Sequence, residues 1–390
     1  MTVLKNIEEA GTLFGDAIAG DRTAQGRVKA LVDGSAYVTE SVSSSDLARA
    51  FVIGTRQTLQ EQYAKLTPTW TDFAKRRVFN DFKPQFLREL TMDNDTNLTT
   101  NGGVKTKPGS LPRIPEGTEY PKFGFTTSAN GVLLAKNGAS FGFTWEMVIN
   151  DEWQLIGSIP GQLLQFASNT EDTEAYGILA DENGPNALTF SSANGNLNGA
   201  GSLFDKEYAL DLNSLSLGKK AIRSRRVNGR LVTVPKFRLI VPTSKKDQAE
   251  ALLAITEYTV RNATNTKEIK VRPTNSDVSL TTTDWLDQID QSGNAGKTWY
   301  LVPDGGSDGT RDSLAVAFLQ NHEAPDVRIS GNTGSYLGGG AVPGLEGSLL
   351  NDDAEYRIRH VVSGAFLNGQ ALLASKGTEA TAAPDQYAMP

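Results

Sequence analysis

Apolar positions along the chain change period several times, and each change predicts a different element. Residues 1–44 are polar and weakly patterned apart from Leu4, Ile7, Leu13 and Phe14, which would suit a short amphipathic helix in an extended arm. Ser43–Ser45 and Asp46 then offer a cap for a helix over 47–66, with Leu47, Phe51, Leu59 and Tyr63 at helical spacings and Pro68 as its stop. An aromatic-rich stretch follows with Trp70, Phe73, Val78, Phe79 and Phe82, and it needs a partner surface. From Lys83 the alternation through Phe86, Leu90 and Met92 predicts a half-buried strand. Between 93 and 144 the pattern suits two extended arms around loops rich in Gly, Pro, Asn and Thr, with no compact core of its own.

Asn150–Trp153 reads as a helix start, and Pro160 suits the first turn of a second helix. Leu163, Leu164, Ala167, Ala175, Ile178 and Leu179 then place one apolar stripe on a long helix ending before Asn183-Gly184-Pro185. After residue 200 helices and strands mix. Phe237–Val241 predicts a strand, Thr243–Thr256 a helix, and Val227-Asn228-Gly229-Arg230 a hairpin. Thr298–Val302 and Leu314–Leu319 read as strands joined by a polar loop, and Tyr356–Val362 with Phe366–Leu373 as a last extended pair around Gly364.

Composition narrows the chemistry. The 390 residues exceed what one core usually organises, so two or more lobes are expected. With 38 Lys or Arg against 45 Asp or Glu, the formal charge of −7 argues against binding nucleic acid through bulk positive charge. The absence of cysteine removes disulfides, thiolate zinc sites and thiol nucleophiles, and only His322 and His360 remain for imidazole chemistry. The start has no basic region followed by an apolar run, and no apolar stretch approaches the roughly 20 residues of a bilayer span, so a cytosolic chain without membrane contact is expected.

Individual motifs mostly favour ordinary readings. Gly293–Thr298 ends in Gly-Lys-Thr, but Gln291 stands where a phosphate loop needs glycine and a strand follows instead of a helix, so a turn is expected. Asp304, Asp308 and Asp312 lack the spacing of a calcium loop, and the two histidines lack ligand spacing. No catalytic, cofactor or metal residues are expected. A basic cluster is more informative: Lys219, Lys220, Arg223, Arg225, Arg226, Arg230, Lys236 and Arg238 follow one another with no intervening acid. Such a field would touch nucleic-acid phosphates, pair with carboxylates of a neighbouring subunit, or face solvent.

Several segments, in order, resemble the major capsid proteins of tailed bacteriophages with the Hong Kong 97-type fold, especially the branch of Mu-like head subunits. They are Thr69-Trp70 with Asn80–Lys83, Ile114–Tyr120, Trp145–Asp151, Trp299–Leu301 and Tyr356–His360, together covering about residues 45–376. The resemblance implies an α+β chain with an N-terminal extension and arm over 1–93, an extended E-loop hairpin over 94–144, and a peripheral domain with a spine helix over 145–195. It further implies an axial domain over 196–355, then peripheral return strands and a tail over 356–390. Pentamers and hexamers would close an icosahedral shell around double-stranded DNA, with portal, scaffolding or decoration proteins as further partners, in a virion assembled in the bacterial host cytoplasm.

On this reading Arg113, Glu116, Glu119 and Tyr120 near the base of the E-loop, and Val132, Leu133 and Leu134 on its returning arm, are candidates for contacts between subunits. Covalent cross-linking, known in this fold, is not expected, because Lys105, Lys107, Lys122 and Lys136 lie in no matching context. An encapsulin-type compartment of the same fold is the alternative, with a carboxylate-based carbohydrate-active enzyme as a more distant one.

Overall fold

A computed structural model describes Leu13, Asp16, 21–24, 26–27, 63–92, 116–117, 123–144, 153–191, Asn194, Asn196, 207–227, 230–261, 268–271, Pro273, 275–307, 312–330, Leu337 and 353–378. The chain divides into two units. One takes Met1–Pro68, Ala135–Thr170 and Leu319–Val362; the other takes Thr69–Leu134, Glu171–Phe318 and Ser363–Pro390. Both are assembled from segments distant in sequence, so the expected division at 93, 144, 195 and 355 does not follow their boundaries.

In the first unit, strand β4 (Lys136–Thr144) runs antiparallel to β16 (Asp353–Phe366), from Lys136 opposite Val361 to Thr144 opposite Asp353. Strand β15 (Asp326–Ile329) pairs antiparallel with the same strand, Asp326 opposite Arg359. Ile358, His360, Val361 and Val362 of β16 are buried, as are Ile159, Leu163, Leu164 and Ala167 of helix α1 (Trp153–Leu179). The helix is continuous from Trp153, whereas a separate helix starting near Pro160 was expected. Proline there forfeits only the bond to the Ile156 carbonyl, and the buried positions on either side hold the helix together.

The second unit is built on a four-stranded sheet in the order β12-β9-β13-β17. Strand β9 (Phe237–Pro242) runs parallel to β12 (Val278–Thr283) and antiparallel to β13 (Trp299–Pro303), which pairs antiparallel with β17 (Leu373–Ser375). All of β13 is buried, and so is all of β9 except Arg238. This explains why both read as continuous apolar runs rather than alternating ones. Leu215 and Ile222 of helix α2 (Leu212–Ser224) and Ala249 and Leu252 of α3 (Lys246–Ala254) join Phe237, Leu239, Val241, Trp299, Leu301 and Leu373 in one core. Asp211 caps α2 by accepting a 2.6 Å bond from the Ser214 amide, which occupies one of the free donors at the helix start.

Strand β14 (Leu314–Leu319) lies beside β1 (Lys75–Phe79), so β13 and β14 belong to different sheets. The expected extended pair around Gly364 is instead one strand, β16, running through it. Gly364 is required for close approach and not for a turn: a β-carbon there would collide with the Glu174 carbonyl oxygen and lie 2.8 Å from Ile178 Cγ1.

Another device of the second unit sits at its aromatic-rich stretch, where Thr69–Asp72 forms one 3-10 turn. Trp70 is buried and held at both polar ends: its amide donates to Asp172 Oδ1 at 2.9 Å and its indole Nε1 donates to Glu171 Oε2 at 2.9 Å. Burial raises the Asp172 carboxyl above its ordinary value despite the bonds from Trp70 and Thr69. Burial likewise pushes the Tyr176 hydroxyl, 3.0 Å from Thr69 Oγ1, up to about 12.

Candidate functional site

Strand β2 (Gln85–Met92) and strand β3 (Phe123–Val132) form a two-stranded antiparallel hairpin with no third strand among the described residues. Gln85 opposes Val132 and Met92 opposes Phe123. Between the Phe86–Gly131 and Arg88–Thr127 pairs one residue faces three, a bulge that bends the ribbon and strengthens its twist. At its base Phe86 lies across Gly131, where a β-carbon would come within 2.9 Å of the ring. An isolated two-stranded ribbon is marginal in water.

Exposed apolar side chains gather in the adjoining sequence: Val78 at 42%, Phe82 at 48%, Phe86 at 49% and Leu133 at 56%. Of the three residues expected to offer a returning arm to a neighbour, only Leu133 is exposed. Val132 and Leu134 are buried, because alternation along an extended backbone sends every second side chain inward. Glu116 is exposed in a turn with Gly117, while Arg113, Glu119 and Tyr120 lie outside the described residues. The returning arm ends at Val132; β4, expected within the same hairpin, pairs with β16 instead. Lys136, exposed, opens β4, and Lys105, Lys107 and Lys122 lie outside the described residues.

The basic cluster does not form one field. Lys219 Nζ and Arg223 Nη2 both pair with Asp277, at 3.0 and 2.9 Å, and Arg223 lies over the Phe237 ring at 5.0 Å. Burial alone would raise the Asp277 carboxyl, but the hydrogen bonds and charges of Lys219 and Arg223 hold it below its ordinary value. Arg225 donates to the backbone carbonyls of Gln370, Leu372 and Asn196 at 2.9, 2.6 and 3.0 Å. Burial lowers its guanidinium to about 10, still charged at neutral pH. Arg238 bridges Asp72 at 2.9 Å and Asp304 at 2.7 Å and donates to Thr281 Oγ1 at 2.8 Å.

Lys219, Arg223, Arg225 and Arg238 are therefore engaged inside the chain. The reason is topological: no acid interrupts the cluster in sequence, yet Asp72, Asp277 and Asp304 arrive from turns elsewhere in the chain. Lys220, Arg226 and Lys236 are exposed, and Arg230 lies in strand β8 (Arg230–Leu231), paired antiparallel with β7 (Arg226–Val227).

Other sequence candidates have local structural explanations. Residues 293–297 form a turn ahead of β13, with Gly296 at φ 76°. Asp312 pairs with Lys75 at 3.2 Å and with Arg77, and Asp304 pairs with Arg238, while Asp308 lies outside the described residues. His360 is buried with its ring 6.2 Å from that of Tyr63, and His322 is exposed. Among the described residues no group of three or more His, Asp or Glu is arranged to hold a metal ion, and no helix is long and apolar enough to cross a membrane.

Sequence reasoning missed Asp277 and the adjacent acids Glu171 and Asp172. The last two carried a signal, since two neighbouring carboxylates where the apolar stripe of α1 runs must meet donors when that face is buried.

No curated protein matches the chain. Among solved structures it is similar to an encapsulin complex, holo-SrpI, from Synechococcus elongatus PCC 7942, at 12% identity over 82% of this chain and 92% of that one, with a TM-score of 0.44. A structure from Mycobacterium phage Adephagia matches at 12% identity over 80% and 89%, TM-score 0.41, and one from Gordonia phage Cozz at 11% over 85% and 95%, TM-score 0.41. The family model for phage capsid proteins matches residues 129–375. That span takes in α1, the four-stranded sheet and β16, more than half of the sequence, and the chain belongs to the phage capsid protein family.

Proposed function

We propose that copies of this chain gather as pentamers and hexamers and close an icosahedral shell of the Hong Kong 97 type around double-stranded DNA. Membership of the phage capsid family makes it a shell-forming virion protein. The match over residues 129–375 carries the reading. The β2–β3 ribbon supports it, having two strands only among the described residues and exposed Phe82, Phe86 and Leu133 at and beside its base. A marginal ribbon with apolar residues in water gains most when a second copy covers it.

The chemistry is binding rather than catalysis, and assembly takes place in the host cytoplasm, with portal, scaffolding or decoration proteins joining the shell. Any DNA-facing part of the basic cluster falls to exposed Lys220, Arg226 and Lys236. Electron microscopy of the purified chain tests assembly, with five- and six-fold capsomers in closed particles as the expected result. Nuclease-resistant double-stranded DNA in particles from infected cells tests the cargo. Light scattering that finds only monomers over a wide range of salt and concentration would sink the proposal.

A further inference from the structure

The chain enters or leaves the second unit after Pro68, Leu134, Thr170, Phe318 and Val362. Within that unit, the segments that begin at Thr69 and Glu171 and those around Phe318 and Ser363 are tied to one another. The Trp70 ring packs 5.9 Å from that of Phe318. Its indole Nε1 donates to Glu171 Oε2 and its amide to Asp172 Oδ1, each at 2.9 Å, and Thr69 Oγ1 donates to the same Asp172 oxygen at 3.1 Å. Further along α1, Glu174 Oε2 accepts the Gly364 amide at 3.2 Å. Glu171, Asp172 and Glu174 thus act as one clasp on the ends by which the chain joins this unit.

The clasp is made from buried acids. Glu171 is 2% exposed and Asp172 6%. Burial disfavours an ionised carboxyl, and a like charge on the next residue disfavours it further. The donors that meet Asp172, an amide and a hydroxyl, are both neutral. The ionisable groups around it are Glu171 and Tyr176 on its own helix, and Asp72 faces Tyr176 from the Thr69–Asp72 turn, with its charge met by Arg238 at 2.9 Å. From β12, Tyr176 meets only the neutral Thr283. Burial, the largest of these influences, holds the Asp172 carboxyl above its ordinary value.

We propose that Asp172 makes this clasp proton-operated, so that the Thr69–Asp72 turn and α1 hold each other more firmly when Asp172 is neutral than when it is charged. The device needs only the fold of the second unit and does not rest on the shell reading. A protonated Asp172 keeps Oδ1 as the acceptor for Trp70 and Thr69 and loses only the buried charge; a proton therefore tightens the clasp instead of opening it. Because the folded value is raised, the stability contributed is fully present below the unfolded carboxylate range near ~3.9 and is lost as pH rises through the folded value. Between those limits acidification firms the ends of the second unit, while Asp277, whose value is lowered, is still ionised and still paired.

Hydrogen exchange at the Trp70 amide in the full-length, unassembled chain tests this, with protection expressed relative to the intrinsic rate at each pH. From roughly pH 7 down to 4, protection should rise by a factor of about ten for each unit by which the folded value exceeds the unfolded one. Asp172→Asn keeps the accepting oxygen without the charge, so it should show the higher protection throughout and no rise. Glu171→Gln removes the neighbouring charge and should move the rise to lower pH. Protection in the parent that falls or stays level on acidification would overturn the proposal, as would an Asp172→Asn chain with the parent's pH profile. Lost protection in Asp172→Asn at neutral pH would also end it, because the charge itself would then be what holds the turn.

Discussion

Replacing Arg225 separates a structural from a nucleic-acid role for the basic cluster. Its guanidinium donates to three backbone carbonyls, Gln370, Leu372 and Asn196, so it ties the end of α2 to the loop entering β17. Removing it in Arg225→Ala strands three acceptors, each costing about 1–3 kcal/mol where water cannot reach. Relief from burying the guanidinium and partial entry of water offset some of this. The net loss should be about 2–4 kcal/mol, a large share of the ~5–15 kcal/mol that holds a typical domain together. Arg225→Lys should recover part of the loss, since an ammonium has three donors but not the planar fork.

Urea unfolding of the unassembled chain reads this directly. Because the acceptors are neutral carbonyls, the deficit should be nearly the same from roughly 50 to 200 mM salt, a range over which phosphate contacts weaken steeply. An Arg225→Ala chain that unfolds like the parent, but loses DNA from its particles in a salt-dependent way, would refute the structural assignment.

Three further outcomes are expected. Asp277→Asn should cost about 2–3 kcal/mol in urea unfolding, because it leaves Lys219, with a side chain 11% exposed, without its carboxylate. The folded carboxyl of Asp277 lies below its ordinary value, so its contribution is present above the unfolded carboxylate range near ~3.9 and is lost as pH falls through the lower folded value; the parent should show this acid loss and the variant should lack that part. Gly364→Ala should destabilise by about 1–3 kcal/mol, since the added carbon meets the Glu174 carbonyl, and a thermal melt equal to the parent would contradict the close approach. Phe86→Ala should leave the four-stranded sheet intact by circular dichroism but speed amide exchange along β2 and β3, because the ring no longer covers Gly131.

Elements set by neighbouring residues were legible in the chain. The hairpin expected over Val227–Arg230 matches the pairing of β7 with β8, the apolar run 237–241 marked β9, and the stripe through Leu163, Ala167 and Ile178 marked most of α1. What stayed hidden depends on partners remote in sequence. Pro160 and Gly364 look locally like interruptions, yet both lie inside continuous elements. At Pro160 the burial of Ile159, Leu163 and Leu164 outweighs one lost hydrogen bond, and at Gly364 the absence of a side chain is what allows β16 to pass the carbonyl of Glu174. Strand β4 carried an extended pattern, but nothing within 136–144 could reveal that its partner lies at 353–361.

The same distinction governs the candidate site. Charge counted along the sequence made residues 219–238 one basic block, whereas folding gives Lys219, Arg223, Arg225 and Arg238 partners inside the chain. Three of those four find carboxylates and Arg225 finds carbonyls, so the block serves first to pin α2, β9 and the loop before β17 to their surroundings. The exposed leucines and phenylalanines behave in the opposite way. Leu133 and Leu188 each sit beside buried neighbours, Val132 and Leu134 for the first and Thr189 for the second. Their exposure is thus set by a backbone already committed to its own unit, and covering them requires another molecule. For a chain of the phage capsid family, the molecule present at the highest local concentration is another copy of itself, so these apolar positions, more than the cations, are where subunit contacts should be sought first.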